Sequence, residues 1–223
     1  FASLPADEFL AEGYYDELGL SLELRPGPGT PTRTHARLAL ARLPFAYQRT
    51  PLRHGRPELA TVLERVPKVR VLTATEGARC IELAREAMVV RSRDLDVFAY
   101  GDPRDVRLLE CEDGLAFAAI GFRPERRLLL EAVYGFLTLV NGVPIGYVLN
   151  SALFGSAEIA FNVFETYRGA EAAHVYGWVL SCVRHLFGVD TFTIYPYQLG
   201  QGNEEGLASG AWWFYQRLGF RPR

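Results

Sequence analysis

The stretch Ala157–Phe220 decides the fold; it contains Glu158–Ala173, EIAFNVFETYRGAEAA, and closes on Phe214–Phe220, FYQRLGF. Over Glu158–Phe164 the alternation puts Ile159, Phe161 and Val163 on one face and Glu158, Ala160, Asn162 and Phe164 on the other, the period of a β-strand. From Ala170 to Phe187 the spacing of Ala172, Val175, Val179, Val183 and Leu186 changes to that of a helix. Thr191–Tyr195 then reads as a strand, and Gly206–Leu218 as a last helix stopped by Gly219, the residue that best tolerates the left-handed C-terminal position.

Working outward toward the N-terminus, Tyr134–Val140 and Val143–Leu149 flank Asn141-Gly142, a pair suited to the positive φ angles of a tight hairpin turn. A second hairpin, Val106–Cys111 and Leu115–Phe122, turns at Asp113-Gly114 after a break at Gly101-Asp102-Pro103. A strand from Lys68, with Val69, Val71 and Thr73 alternating, precedes a helix over Glu76–Val90. From Tyr134 onward the order is β-β-β-α-β-α. The class is therefore mixed α/β, with a mostly antiparallel central sheet flanked by helices. Residues 67–223 form this domain. Residues 1–66 read as an N-terminal extension: a short helix over 5–18, a Pro- and Gly-broken linker at Arg25–Thr32, and helical stretches over Thr34–Leu43 and Glu58–Val66.

Composition sets the outer bounds. With 49% hydrophobic and 22% charged residues in 223 positions, the chain can bury a substantial core. A net charge of −2 gives no general attraction to nucleic acid or an anionic membrane, so neither is expected as a partner. Charge is nonetheless uneven. Residues 1–24 hold six acids and no Lys or Arg, whereas Arg25–Arg70 hold nine Arg and Lys68 against Glu58 and Glu64. Such a basic run serves either as a solvated face or an internal match to the acidic segment, or as a guide for an anionic ligand or nucleic acid, although no RNA- or DNA-binding motif accompanies the charge. Cys80, Cys111 and Cys182 make no Cys-x-x-Cys pair, which points away from a zinc site or disulfide framework and toward a reducing, cytoplasmic setting. Leu128–Val140 is interrupted by Glu131 and too short to span a bilayer, which takes about 20 residues. The chain opens on Phe1 without a leader pattern, so its start reads as a trimmed or internal boundary.

The hairpin, the strand ending in Val163-Phe164-Glu165-Thr166-Tyr167-Arg168-Gly169, the long helix, and Phe214-Tyr215-Gln216-Arg217-Leu218-Gly219-Phe220 together resemble the GNAT superfamily of acyl-CoA-dependent acyltransferases. The resemblance spans roughly Val69–Phe220 and is carried by residues 133–220. It implies acetyl-CoA or another acyl-CoA as co-substrate and a small-molecule or peptide amine as acceptor. It also implies that Arg168, Gly169, Ala170, Glu171, Ala172 and Ala173 form the cofactor-binding loop, where unpaired backbone N–H groups and the helix dipole attract a diphosphate.

Glu171 stands where the family has its second loop glycine. Its charge either opposes a diphosphate, or turns away and serves the helix dipole as a first-turn acid. In the closing block the resemblance makes Tyr215 the general acid that protonates the leaving thiolate. The other reading is a packed aromatic in the cluster Trp212–Tyr215. Where the family has an Asn seven residues before this Tyr, the chain has Ala208; its nearest is Asn203, in a glycine-rich loop where it either contacts substrate or caps a helix. Asn162 is a second substrate-binding candidate. Glu158 is similar in position to the general-base Glu of the histone-acetylating branch, and is otherwise a surface acid. Glu171 and His174 have carboxylate–His spacing, but no second pair accompanies them, and no metal is expected. The family completes its sheet with two strands after the last helix. Here either the chain continues beyond Arg223 or the hairpin at 106–122 fills a missing position.

Three functions fit these residues: an N-acyltransferase, a non-catalytic module that kept the fold and lost the cofactor, and a transferase taking its acyl or aminoacyl group from a carrier docked on Arg33, Arg37 and Arg42.

Overall fold

The structure is a computed structural model that describes residues 7–19, 27, 28, 30, 36–38, 45–93, 95–169 and 171–222. The chain divides into two compact units, Phe1–Thr30 and Pro31–Arg223. The first contains α1 (Glu8–Glu17), close to the helix expected over 5–18, with the Asp7 carboxylate accepting from the Leu10 N–H at 3.0 Å.

The second unit is a mixed α/β fold. Its elements are α2 (Leu59–Leu63), β1 (Lys68–Val71), α3 (Ala74–Val89), α4 (Asp96–Ala99), β2 (Gly101–Glu110), β3 (Leu115–Phe122), β4 (Ala132–Val140), β5 (Val143–Leu153), β6 (Ser156–Val163), α5 (Ala172–Phe187), β7 (Thr191–Thr193), α6 (Glu204–Ala208) and α7 (Ala211–Leu218). The seven strands lie in chain order in one sheet, and every neighbouring pair is antiparallel except β6 and β7.

Turn chemistry explains this order. Asp113 and Gly114 have φ 56° and 75°, and Asn141 and Gly142 have φ 51° and 79°, the primed-turn geometry whose twist matches the strands it joins. Tight turns keep β2–β6 an up-and-down meander. The parallel step from β6 to β7 needs a crossover, and α5 supplies it.

Each face of the sheet carries its own core. On one, Ile81, Ala84 and Met88 of α3 and Phe98 of α4 pack on Leu108, Ala118, Ile120 and Leu137. On the other, Tyr176, Val179 and Val183 of α5 and Tyr215 and Leu218 of α7 pack on Phe117, Phe136, Val148 and Ile159. Thr73 caps α3 in a reciprocal box with Glu76, which places the helix start two residues before the expected Glu76. Close approach explains Gly77 in that helix: a Cβ there would lie 2.2 Å from the Pro103 carbonyl oxygen.

Several boundaries differ from expectation. Gly101-Asp102-Pro103, read as a break, lies inside β2, where the register shifts between Gly101 and Val106; an irregular ladder is where a strand tolerates proline. The single last helix is two helices, α6 and α7, separated at Gly210, whose φ of 74° is incompatible with a continuous right-handed helix. β7 stops at Thr193, before Pro196 opens a 3-10 turn. Of the helix expected over Thr34–Leu43, residues 36–38 have no regular structure and the rest lies outside the described residues. The hairpin β2–β3 stands between β1 and β4, not beside β7. No helix among the described residues is long and apolar enough to cross a membrane.

Candidate functional site

The two strands that decide the fold part company soon after they meet. β7 pairs only with Ser156–Glu158, so among the described residues β6 has no strand on that side from Ile159 to Val163. α7 fills the opening from one direction. The Tyr215 hydroxyl donates to the Phe161 carbonyl oxygen at 3.4 Å and accepts from the Gln198 side-chain amide at 2.9 Å. Its ring is 8% exposed and sits edge-on to Tyr176, with centroids 5.8 Å apart. Burial pushes the phenol well above its ordinary pKa, and the hydrogen bonds to Gln198 and Phe161 only partly offset this. At neutral pH Tyr215 is therefore a neutral proton donor, held at an unpaired backbone edge.

The loop from Glu165 to Glu171 leads from β6 into α5. Arg168 and Gly169 are exposed, Ala172 and Ala173 are half-buried at the helix start, and Ala170 lies outside the described residues. Glu171 takes the N-cap position and makes no side-chain cap bond. Its carboxylate instead accepts from the backbone N–H of Arg53 at 3.2 Å.

Arg53 belongs to a strap that sequence reading left unassigned. Asn141, in the β4–β5 turn, holds one point of it, accepting from the Ala46 N–H and donating to the Ala46 carbonyl, both at 2.9 Å. Arg53 then reaches Asp113 at 2.6 Å and Glu112 at 3.0 Å, in the β2–β3 turn. Arg65 shares Glu112 at 2.8 Å. Burial raises the Glu112 pKa, but Arg65 and Arg53 outweigh it and hold the carboxyl below its ordinary value. Farther along, the Ser181 hydroxyl of α5 donates to the Arg65 carbonyl at 2.5 Å. His174 contacts Arg53 and lies 3.4 Å from Glu112, so both members of the Glu171–His174 pair face the strap. Among the described residues no group of three or more His, Cys, Asp or Glu is placed to hold a metal.

Two cavities flank the loop, and Gly169 and Ala172 border both. The smaller, about 290 Å³, runs between the α5 start and α7 and is lined by Arg56, Gly169, Ala173, Trp213 and Arg217 among others. The larger, about 530 Å³, lies on the strap side, with Phe45, Leu52, Val140, Val163, Glu171 and Val175 in its walls. Glu171 thus borders the second cavity and not the first. Arg56 and Arg217 are the cations suited to an anion at the α5 start. Neither was a candidate, although Arg217 lies inside the closing block FYQRLGF and Arg56 inside the basic run.

The other candidates are more dispersed. Glu158 is exposed and Asn162 half-buried, on the sheet face opposite the Phe161 side chain. The structure does not bring Glu158 and Tyr215 into contact: three residues of strand, ~10 Å, separate Glu158 from Phe161. Asn203 caps α6, its side-chain oxygen accepting from Gly206 N–H at 2.7 Å and its amide donating to the Tyr197 carbonyl at 3.1 Å. Both ends of that side chain are engaged within the loop.

Comparisons with family models, with curated proteins and with solved structures gave no match to this chain.

Proposed function

We propose that the chain is an N-acyltransferase that moves an acyl group from an acyl-CoA thioester to the amine of a small molecule or peptide. One observation carries this reading: a neutral, buried phenol, Tyr215, sits where β6 and β7 diverge, with its proton on the Phe161 carbonyl, beyond the Ser156–Glu158 stretch that pairs with β7 among the described residues. A thioester arm lying along the free edge of β6 would hydrogen-bond to that edge as an added strand and bring its sulfur to the Tyr215 hydroxyl. Attack by the amine on the thioester carbon gives a tetrahedral intermediate; collapse breaks the C–S bond, and Tyr215 gives its proton to the departing sulfur. The phenolate is then reprotonated from solvent. The proton lost by the amine passes to solvent water, and Glu158, exposed on the far face of β6 and ~10 Å along the strand, receives it through that water and not by direct contact. The diphosphate lies in the smaller cavity, against the α5 start, Arg56 and Arg217. Three free thiols are in keeping with a cytoplasmic setting.

A calorimetric titration of the full chain with acetyl-CoA and longer acyl-CoA thioesters tests the reading. Binding that is lost in the Arg56→Ala, Arg217→Ala double variant supports it, and absence of binding to every acyl-CoA ends it. A second reading, a module that keeps the fold without the reaction, is favoured by Glu171 at the N-cap of α5, where a negative charge opposes a diphosphate. Turnover of any acyl donor by the purified protein excludes that alternative.

A further inference from the structure

We propose that Cys111 and Cys182 are a modification site, closing to a reversible intramolecular disulfide when a hydroperoxide reaches Cys111. The inference is independent of the acyl-transfer reading. Cys111 follows the last residue of β2 and is partly exposed, whereas Cys182 lies on α5 and is fully buried against the sheet. Their sulfurs are 4.0 Å apart. A disulfide needs ~2 Å, so closure asks for an approach of about 2 Å. Cys111 is placed to supply it, because it stands outside the strand ladder, held by its N–H to the Leu115 carbonyl at 2.9 Å while its thiol makes two long contacts, 3.9 Å to the Leu109 carbonyl and 4.0 Å to the Cys182 sulfur. Cys80 provides the internal contrast. It is equally buried but belongs to the core on the opposite face of the sheet, with no cysteine beside it.

Exposure sets the order of events. Cys111 sulfur attacks the terminal oxygen of the hydroperoxide; the O–O bond breaks, an alcohol or water leaves, and Cys111 becomes a sulfenic acid. Cys182 sulfur then attacks Cys111 sulfur, the S–O bond breaks, and water departs with the oxygen and the Cys182 proton. Overall two thiols lose two electrons and two protons to the peroxide. Burial and the neighbouring Cys111 hold the Cys182 thiol well above its ordinary pKa, which suits the resolving role and not the first attack. The bond has a structural consequence. Glu112 and Asp113, next in the chain, anchor Arg53 and Arg65 of the strap. Tying Cys111 to α5 fixes that anchor against the helix whose start borders both cavities.

The test treats the full chain, in native buffer, with equimolar hydrogen peroxide, then alkylates free thiols and maps peptides without reduction. The expected result is a Cys111–Cys182 linked peptide lighter by two hydrogens, an alkylated Cys80, a monomer on a non-reducing gel, and reversal by dithiothreitol. In Cys182→Ala, Cys111 should accumulate as a sulfenic acid trapped by dimedone. In Cys111→Ala, Cys182 should stay reduced. The proposal is overturned if the wild-type chain gives Cys111 joined to a second chain, Cys111 oxidised beside an alkylated Cys182, two free thiols, or a link that forms only in denaturant.

Discussion

Two buried phenols with rings 5.8 Å apart should respond in opposite ways to the same change. Tyr215 spends its hydroxyl on Phe161 and Gln198. The Tyr176 hydroxyl, on α5, is buried with no hydrogen-bond partner among the described residues. Tyr215→Phe strands the Gln198 amide and the Phe161 carbonyl, so it should cost ~1–3 kcal/mol, the range for a buried polar group left without its partner. Tyr176→Phe removes a polar atom that gains nothing from the fold, and should be neutral or stabilise by ~1 kcal/mol. Equilibrium urea unfolding measures both, as shifts of midpoint at constant slope. Acyl transfer separates them further: Tyr215→Phe should lower kcat by roughly 10²–10⁴-fold, the scale of a lost general acid, while Tyr176→Phe leaves it unchanged. Two results would refute the reasoning. Equal loss of transfer in both variants would mean that the cluster matters only as packing. Undiminished transfer in Tyr215→Phe would remove the phenol from the reaction.

Gly77→Ala should destabilise the fold by ~1–3 kcal/mol or more despite the better helix propensity of alanine, because the obstructing atom is the Pro103 carbonyl and backbone yields little; urea unfolding reads this directly. Removing Arg56 and Arg217 one at a time should weaken acyl-CoA binding by roughly 10–100-fold each, the equivalent of a charge-assisted hydrogen bond, with the melting temperature preserved. The His174 pKa is held below its ordinary 6.5 by burial first and the Arg53 cation second. The unfolded chain therefore takes up this proton before the folded protein does. Stability should fall as pH drops below 6.5 and level off under the lowered folded value, and His174→Gln should flatten that slope in pH-dependent unfolding.

What could be read in the sequence was local. Asn141-Gly142 and Asp113-Gly114 announce their turns because positive φ at two successive residues restricts the choice of side chain. The alternation in β6 places Glu158 and Phe161 on opposite faces before any coordinates exist. The third turn is marked less fully: Phe154, at φ 52°, occupies a conformation that Asn or Gly would normally fill, so Gly155 is the one ordinary turn residue where β5 ends at Leu153, four residues past the expected Leu149. Pro103 misled in the other direction: a residue that ordinarily ends a strand sits at the irregular point of β2.

Glu171 shows why the site was harder to read than the fold. Within six residues of loop it is only an acid where a glycine was expected, and both of its readings were open. Its partner, the Arg53 N–H, lies 118 residues away in a segment with no secondary-structure signal. That segment, and the end of the α2 stretch that follows it, are fixed by bonds to turns and to α5: Asn141 to Ala46, Glu112 and Asp113 to Arg53, Ser181 to Arg65. None of these contacts leaves a period in the sequence. Each ties one residue of the strap to a polar group at least 59 residues away in sequence. The substituted loop position and the strap are therefore one feature. The acid at the start of α5 answers a backbone donor brought by the same strap that brings Arg56 to the other side of the loop, and any substitution at Glu171 acts on both cavities through that shared segment.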